Sequence, residues 1–216
     1  MNKKILLDSR QKKLFEFVKQ CHGSQLRKYS DDPYWHHLLE VARIAQMAKR
    51  PIQIHKDDSY FLYVEIALCH DLFEDTKCTR SILKKFLLEN GYDSTEAVII
   101  VIGTKYLTDK YTKEDYPLLN RATRKEMEAD RLGKIPYWAQ TVKMADMISN
   151  TSSIVSFDSN FARVYIPEKK RTLNGMRLGD LDILIACCHS LWVAEATLAN
   201  PDYETLVKAH KEGWLK

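Results

Sequence analysis

Four side chains of metal-binding type stand where the sequence pattern predicts buried helix faces: His37, His70, Asp71 and Asp146. His37 lies one helical turn before Val41, on the apolar side of its segment, and His70-Asp71 follows an apolar run. A buried carboxylate without a cation is strongly unfavourable. Each residue alone could be a hydrogen-bonded core residue, but four on three helices predict one mononuclear site. Two imidazoles and two carboxylates suit Mn²⁺, Fe²⁺ or Zn²⁺ better than Mg²⁺ or Ca²⁺.

Two further carboxylates follow the His-Asp pair by about one helical turn. Glu74 stands four residues after His70, and Asp75 stands four residues after Asp71. A carboxylate beside a metal site, and not used as a ligand, can orient a water or accept its proton. Glu74 and Asp75 are therefore candidate catalytic residues, with solvated charge at a helix end as the alternative.

The elements that must position these side chains are predicted to be helices. The chain has 7 Gly and 6 Pro in 216 residues, about half the usual share, which argues against a many-stranded fold. Capping residues and apolar periodicity predict an all-α fold, a single compact bundle of about 8 to 11 helices over residues 1–216. The predicted segments are 9–23, 34–49, 58–73, 80–90, 97–107, 113–130, 135–150, 167–176, 181–198 and a short helix after Pro201.

Composition excludes several classes of protein. The chain carries 33 Lys+Arg and 29 Asp+Glu, a net charge of +4 that is too small and too dispersed to indicate nucleic-acid binding. No apolar run approaches the roughly 18 residues of a membrane span. The five cysteines include no C-x-x-C pair and fit reduced thiols. We therefore expect a cytoplasmic protein that binds neither membrane nor nucleic acid.

Sequence around the candidate ligands resembles one enzyme family. The segments 22–28 and 33–37, 67–76, 103–105 and 143–150 are similar, in order, to the motifs of the RelA/SpoT hydrolase domain, in the HD phosphohydrolase superfamily. The similarity extends over about residues 12–195, and the Glu74-Asp75 pair of the HD-x-x-ED motif is intact. Because the chain ends where longer members begin their synthetase domain, we expect a free-standing small alarmone hydrolase.

The resemblance implies a helical HD bundle that binds one Mn²⁺ per chain. The implied reaction is hydrolysis of the 3′-pyrophosphate of (p)ppGpp to GDP or GTP and pyrophosphate. The implied nucleotide contacts are Arg27, Lys28 and Asn150, and basic residues at later positions of the family predict Arg121, Arg124 and Lys170. Solvated helix faces are the alternative for these basic residues.

Other functions stay open on the sequence alone. The same metal site would serve an HD phosphohydrolase acting on (p)ppApp or on the 2′-phosphate of NADPH. A non-catalytic alarmone-binding module, such as an antitoxin that neutralises a synthetase, is the alternative from another class. In each case the expected partner is a small nucleotide, and a homodimer is left open.

Overall fold

Ten helices make up the fold in residues 5–28 and 31–200, the part of the chain that this computed structural model describes. No strand occurs among these residues, which confirms the predicted all-α class. The helices are α1 Ser9–His22, α2 Trp35–Ala45, α3 Tyr63–Cys69, α4 Leu72–Asp75, α5 Arg80–Glu89, α6 Ser94–Leu107, α7 Arg121–Leu132, α8 Tyr137–Phe157, α9 Ser159–Gly175 and α10 Leu181–Ala199.

Local signals set the ends of the first helix as predicted. The Asp8 carboxylate accepts a hydrogen bond from the Gln11 backbone N–H, and the Gln11 side chain accepts one from the Asp8 N–H. This capping box satisfies two backbone donors that a helix start leaves unpaired. The helix ends at Gly23, whose φ of +56° lies in the left-handed region that glycine adopts without strain.

The prediction of one continuous helix over 58–73 is wrong. Backbone hydrogen bonds in both directions join Ile52 and Tyr60 in an isolated antiparallel bridge, so the chain stays extended before α3. The helix then breaks again after Cys69, where Asp71 adopts φ −99° and ψ 0°. Apolar periodicity did not reveal either interruption, because it reports the spacing of side chains and not the backbone hydrogen bonds of a bridge or a turn.

Three other predicted boundaries shift. Helix α7 begins at Arg121 rather than at 113, because the Asn120 side chain caps it by accepting from the Thr123 N–H. Helix α8 continues past 150 to Phe157, and α9 begins at Ser159, so Pro167 lies inside that helix. The helix predicted after Pro201 lies outside the described residues.

Helices α2, α3 and α8 form the centre of the fold. Helix α2 packs against both α3 and α8, and α3 also contacts α1 and α6. Helix α8 carries buried side chains along most of its length, including Lys143, Asp146 and Ser149. The polar residues that line the site therefore project from the middle of the hydrophobic core.

Helix α10 is the one helix among the described residues with the length and apolar composition of a membrane span. It packs against α8 and α9 through buried residues such as Ile183, Cys187 and Leu191. A core helix of a soluble protein passes the same test of length and composition, so this property indicates little by itself.

Close packing at Gly103 yields a prediction about stability. A Cβ atom at this α6 position would lie 2.9 Å from Ile66 Cγ2 and 3.0 Å from Trp138 Cζ3. We expect Gly103→Ala to destabilise the fold by about 1–2 kcal/mol, since overpacking outweighs the gain in helix propensity. Denaturant unfolding measures the change.

The matched control is Gly175→Ala. A Cβ there would meet only backbone atoms at 3.6 Å, an ordinary contact. We expect this variant to unfold at the wild-type denaturant concentration or above it. Equal effects of the two alanines would contradict the packing argument.

Candidate metal centre and nucleotide cleft

Three of the four predicted ligands, His37, His70 and Asp71, have donor atoms that all lie within 4.8 Å of one another. Asp146 of α8 lies beside the two histidines. His37 Nε2 lies 3.3 Å from Asp146 Oδ1 and 3.8 Å from Asp71 Oδ2. His70 Nε2 lies 2.9 Å from Asp71 Oδ2 and 3.7 Å from Asp146 Oδ1. The break after Cys69 explains how adjacent residues face one point, because His70 and Asp71 lie in a turn rather than on a regular helix.

Hydrogen bonds on the far side of the imidazole orient His70. Its Nδ1 lies 2.7 Å from the Ala67 carbonyl oxygen, which can only accept, so Nδ1 carries the proton. Its Nε2 is buried and faces the carboxylates of Asp71 and Asp146. A ring nitrogen in this position can carry a proton or, in the neutral imidazole, bind a divalent cation, and either one supplies positive charge to the two carboxylates.

Electrostatics in the cluster favour charged forms despite burial. Burial by itself lowers the pKa of His70, but the charges and hydrogen bonds of Asp71 and Asp146 outweigh it and raise that pKa to about 10. Burial likewise opposes ionisation of Asp146, but Lys143 and the two histidines hold the pKa of its carboxyl group well below the usual range. The site is therefore built to hold two carboxylates in the presence of positive charge.

A buried lysine, Lys143, lies beside the cluster, and the sequence analysis did not identify it. Lys143 is buried, and its Nζ lies 2.9 Å from Asp146 Oδ2. Burial alone lowers its pKa, but Asp146, Asp109 and Glu74 outweigh that and raise it well above the ordinary value. Lys143 thus supplies the cluster with one fixed positive charge. Its position three residues before Asp146, on a buried helix, is the signal that could have identified it.

The two candidate catalytic carboxylates lie at the edge of this cluster. Glu74 Oε2 accepts a hydrogen bond from the Asp109 backbone N–H at 3.1 Å. Desolvation in the cleft and the Asp109 charge raise the pKa of Glu74 to about 7. Asp75 Oδ2 accepts from Gln25 Nε2 at 2.9 Å. The Glu74 carboxyl group can therefore exchange a proton near neutral pH, whereas Asp75 is held by a neutral donor.

A cavity of about 250 Å³ opens next to His37, between the α1–α2 connection and the helices α8 and α9. Three of the predicted nucleotide contacts, Arg27, Lys28 and Asn150, line it together with the aromatic residues Phe161 and Tyr165. Asn150 Nδ2 donates to Asp146 Oδ1 at 2.6 Å. The cavity thus joins a basic and aromatic wall to the candidate metal site.

The other three predicted basic residues are not among the side chains that line this cavity, although the Arg121 guanidinium lies 5.3 Å from the centre of the Phe161 ring, which does line it. Arg121 forms a bidentate ion pair with Glu168, with both N–O distances 2.8 Å. Arg124 donates to the Leu119 carbonyl and so holds the preceding loop. Lys170 pairs with Glu195 of α10. The partners of these three side chains come from neighbouring elements, which the sequence does not specify.

The α9 lysine nearest the site is Lys169, and not Lys170 as predicted. Burial and the charge of Lys143 lower the pKa of Lys169 to about 8, against the opposing effect of Asp146. Its Nζ lies 5.1 Å from the centre of the Tyr165 ring, which lines the cavity. One residue along a helix turns a side chain by about 100°. The register of α9 therefore decides which lysine faces inward.

Comparisons with known proteins agree with this architecture. A scan against protein-family models finds no match. The GTP pyrophosphokinase rsh of Brucella ovis, and that of Brucella abortus, are each 43% identical over 68 residues, which is 32% of this chain. That stretch is 8% of the relatives' own length, so this chain corresponds to a small part of them.

A solved structure covers far more of the chain. It is a metazoan ortholog of SpoT, described as hydrolysing ppGpp and as having a role in starvation responses, with a TM-score of 0.65 and 16% identity. The match covers 86% of this chain and 96% of that protein. This chain therefore has the all-α fold of that hydrolase, and its cluster of two histidines and two aspartates lies within that fold.

Metal binding can be tested apart from activity. We expect Mn²⁺ at about 100 times its Kd to stabilise the protein by about 2.7 kcal/mol, raising Tm by about 5 to 10 °C. In His70→Ala, which lacks one donor, the metal-dependent rise should vanish. Scanning calorimetry of the metal-free and Mn²⁺-loaded protein measures both.

His55→Ala is the control, because His55 is exposed and distant in sequence from the cluster residues. It should keep the full Mn²⁺-dependent rise in Tm. A rise of equal size in the His70 and His55 variants would show that Mn²⁺ binds elsewhere.

Proposed function

We propose that this chain is a RelA/SpoT-type hydrolase that removes the 3′-pyrophosphate of (p)ppGpp, giving GDP or GTP and pyrophosphate. The observation that carries the proposal is the cluster of His37, His70, Asp71 and Asp146 beside a basic cavity, in the fold of a ppGpp hydrolase. We further propose that Mn²⁺ is the metal, with Fe²⁺ and Zn²⁺ as alternatives, and that the protein acts in the cytoplasm.

The four cluster residues would hold the metal ion through two imidazole nitrogens and two carboxylate oxygens. When bound, such an ion supplies a Lewis acid that lowers the pKa of water and polarises a phosphoryl oxygen. Lys143 stabilises the ionised form of Asp146. Asn150 donates to the oxygen of Asp146 that faces the histidines and thereby limits its rotation.

Glu74 is the proposed general base. A group whose pKa is about 7 is a proton acceptor matched to neutral pH. It takes a proton from water as the water oxygen bonds to the phosphorus attached to the 3′ oxygen. The bond from that phosphorus to the 3′ oxygen breaks, and the 3′ oxygen leaves on the nucleoside and gains a proton. Asp75, held by Gln25, orients the water.

Basic residues around the cavity are proposed to bind the phosphate groups. Arg27 and Lys28 line the cavity next to His37, where a pyrophosphate would need neutralising charge. Lys169 adds a cation on the α9 side. Phe161 and Tyr165 offer apolar surface for a base or sugar. Support for this assignment comes from the proximity of cationic and aromatic side chains to the cluster.

The test is a substrate panel with product analysis. With Mn²⁺, we expect the protein to release pyrophosphate from ppGpp or pppGpp, as measured by chromatography. Parallel reactions contain ppApp and NADPH. Orthophosphate as the sole product, or no turnover of any guanosine alarmone, contradicts the proposal. If only ppApp or only NADPH is turned over, the assignment as a hydrolase stands and the assigned substrate changes.

The role of Glu74 has its own test. We expect Glu74→Gln to lower kcat for ppGpp by about 10²- to 10⁴-fold, since the amide cannot accept the proton. The Kd for the nucleotide should stay within about threefold, because the charge removed does not bind phosphate. Stopped-flow or steady-state assays give kcat, and calorimetry gives Kd.

Glu16→Gln is the matched control for this substitution. Glu16 is an exposed residue of α1 whose ion pair is with Lys19. It should retain wild-type kcat. Loss of nucleotide binding together with turnover in Glu74→Gln would assign Glu74 a binding role in place of general-base catalysis.

A further inference from the structure

A chain of hydrogen bonds lies behind His37, on the side away from the cluster. His37 Nδ1 is 2.9 Å from Ser149 Oγ, and Ser149 Oγ donates to Glu40 Oε2 at 2.7 Å. Ser149 is completely buried in α8, and Glu40 lies on α2, one turn after His37. This contact joins two helices, so it depends on the packing of α2 against α8.

Proton accounting fixes the direction of these bonds. A serine hydroxyl has one proton, and that proton is committed to the Glu40 carboxylate, which can only accept. The Ser149 oxygen must therefore accept from His37, so that the proton of the neutral imidazole lies on Nδ1. The lone pair of His37 then lies on Nε2, the nitrogen that faces Asp146 and Asp71.

The other residues of the cluster are oriented by different means. His70 is fixed by the carbonyl of Ala67, a backbone group of its own helix. Asp71 accepts a hydrogen bond from the Tyr34 hydroxyl at 2.5 Å. His37 differs, because its ring orientation and its tautomer depend on two side chains in series. Removal of either side chain would release the ring.

Arg27 lies next to Glu40, at the end of this series of hydrogen bonds. Its Nη1 lies 3.7 Å from Glu40 Oε2, the same oxygen that accepts from Ser149. Because Arg27 also lines the cavity, the carboxylate of Glu40 lies between the proposed phosphate-binding wall and the support of His37.

We propose that Ser149 and Glu40 are positioning residues that hold His37 in the tautomer and orientation needed to bind the metal ion. The inference rests on the metal site of the proposed function, and it adds two residues that do not touch the metal or the substrate. Partners that hold the far nitrogen of a ligating histidine typically change metal affinity by about 10- to 100-fold when removed. The same size of effect is expected here.

The experiment measures binding of Mn²⁺ alone to the full chain by titration calorimetry. We expect Ser149→Ala and Glu40→Leu each to raise the Kd for Mn²⁺ by about 10- to 100-fold. Glu40→Leu removes the acceptor of the Ser149 proton at a partly exposed position, so it tests the proposal even where Ser149→Ala fails to fold. The matched controls are Ser156→Ala, at an exposed α8 position, and Glu16→Leu, which should both leave Kd within twofold.

A second readout separates positioning from general damage. Saturating Mn²⁺ should restore most of the kcat of Glu40→Leu for ppGpp, because the ligand His37 itself is still present. Wild-type Mn²⁺ affinity in both variants would overturn the proposal, as would a loss of kcat that excess Mn²⁺ does not restore.

These outcomes are distinct from failure of the proposed function. If the variants lose Mn²⁺ affinity but the wild type does not hydrolyse ppGpp, the positioning role stands and the substrate assignment fails. If the wild type hydrolyses ppGpp and the variants bind Mn²⁺ normally, the function stands and the positioning role fails. Absence of Mn²⁺ binding by the wild type overturns the choice of Mn²⁺, and absence of Fe²⁺ and Zn²⁺ binding as well overturns both proposals.

Discussion

A buried and a partly buried carboxylate that face two imidazoles impose the main electrostatic constraint on this protein. Asp146, which is buried, and Asp71, which is partly buried, place two negative charges beside the histidines, and Lys143 contributes one positive charge through its contact with Asp146. His70 Nε2 faces both carboxylates, at 2.9 Å from Asp71 and 3.7 Å from Asp146. Such an arrangement is stable only with additional positive charge, from protonated histidine or from a metal ion. The packing of α2, α3 and α8 brings these charged side chains together and also places Lys143 beside them.

The local backbone serves the same arrangement. The turn after Cys69 allows His70 and Asp71 to face one point, which a regular helix would make difficult for neighbouring residues. Gly103 lets α6 approach Ile66 of α3 closely, so the segment before this turn is held on both sides. The long helix α8 then supplies the remaining polar groups at spacings of three or four residues. The geometry of the cluster thus results from ordinary helix packing.

Acidic and basic side chains lie on different sides of the candidate metal site. The carboxylates of Glu74, Asp75 and Asp109 lie on the α4–α6 side. Arg27 and Lys28 line the cavity. The formal charge of +4 for the whole chain conceals this separation. A polyanionic substrate that bound with its phosphates toward the cations would present its reacting phosphorus to the acidic side.

The sequence by itself determined the helical class and the cap of α1, because these depend on local spacing and on residue chemistry. It also predicted the four residues of the cluster, whose side chains lie close together in the structure. Tertiary structure alone decided which basic side chains turn toward the site. Lys169 rather than Lys170 faces the site, because a helix turns by about 100° per residue and its rotation is set by packing against α7, α8 and α10. The bond from Ser149 to Glu40 joins residues 109 positions apart, and no local pattern encodes a contact over such a separation.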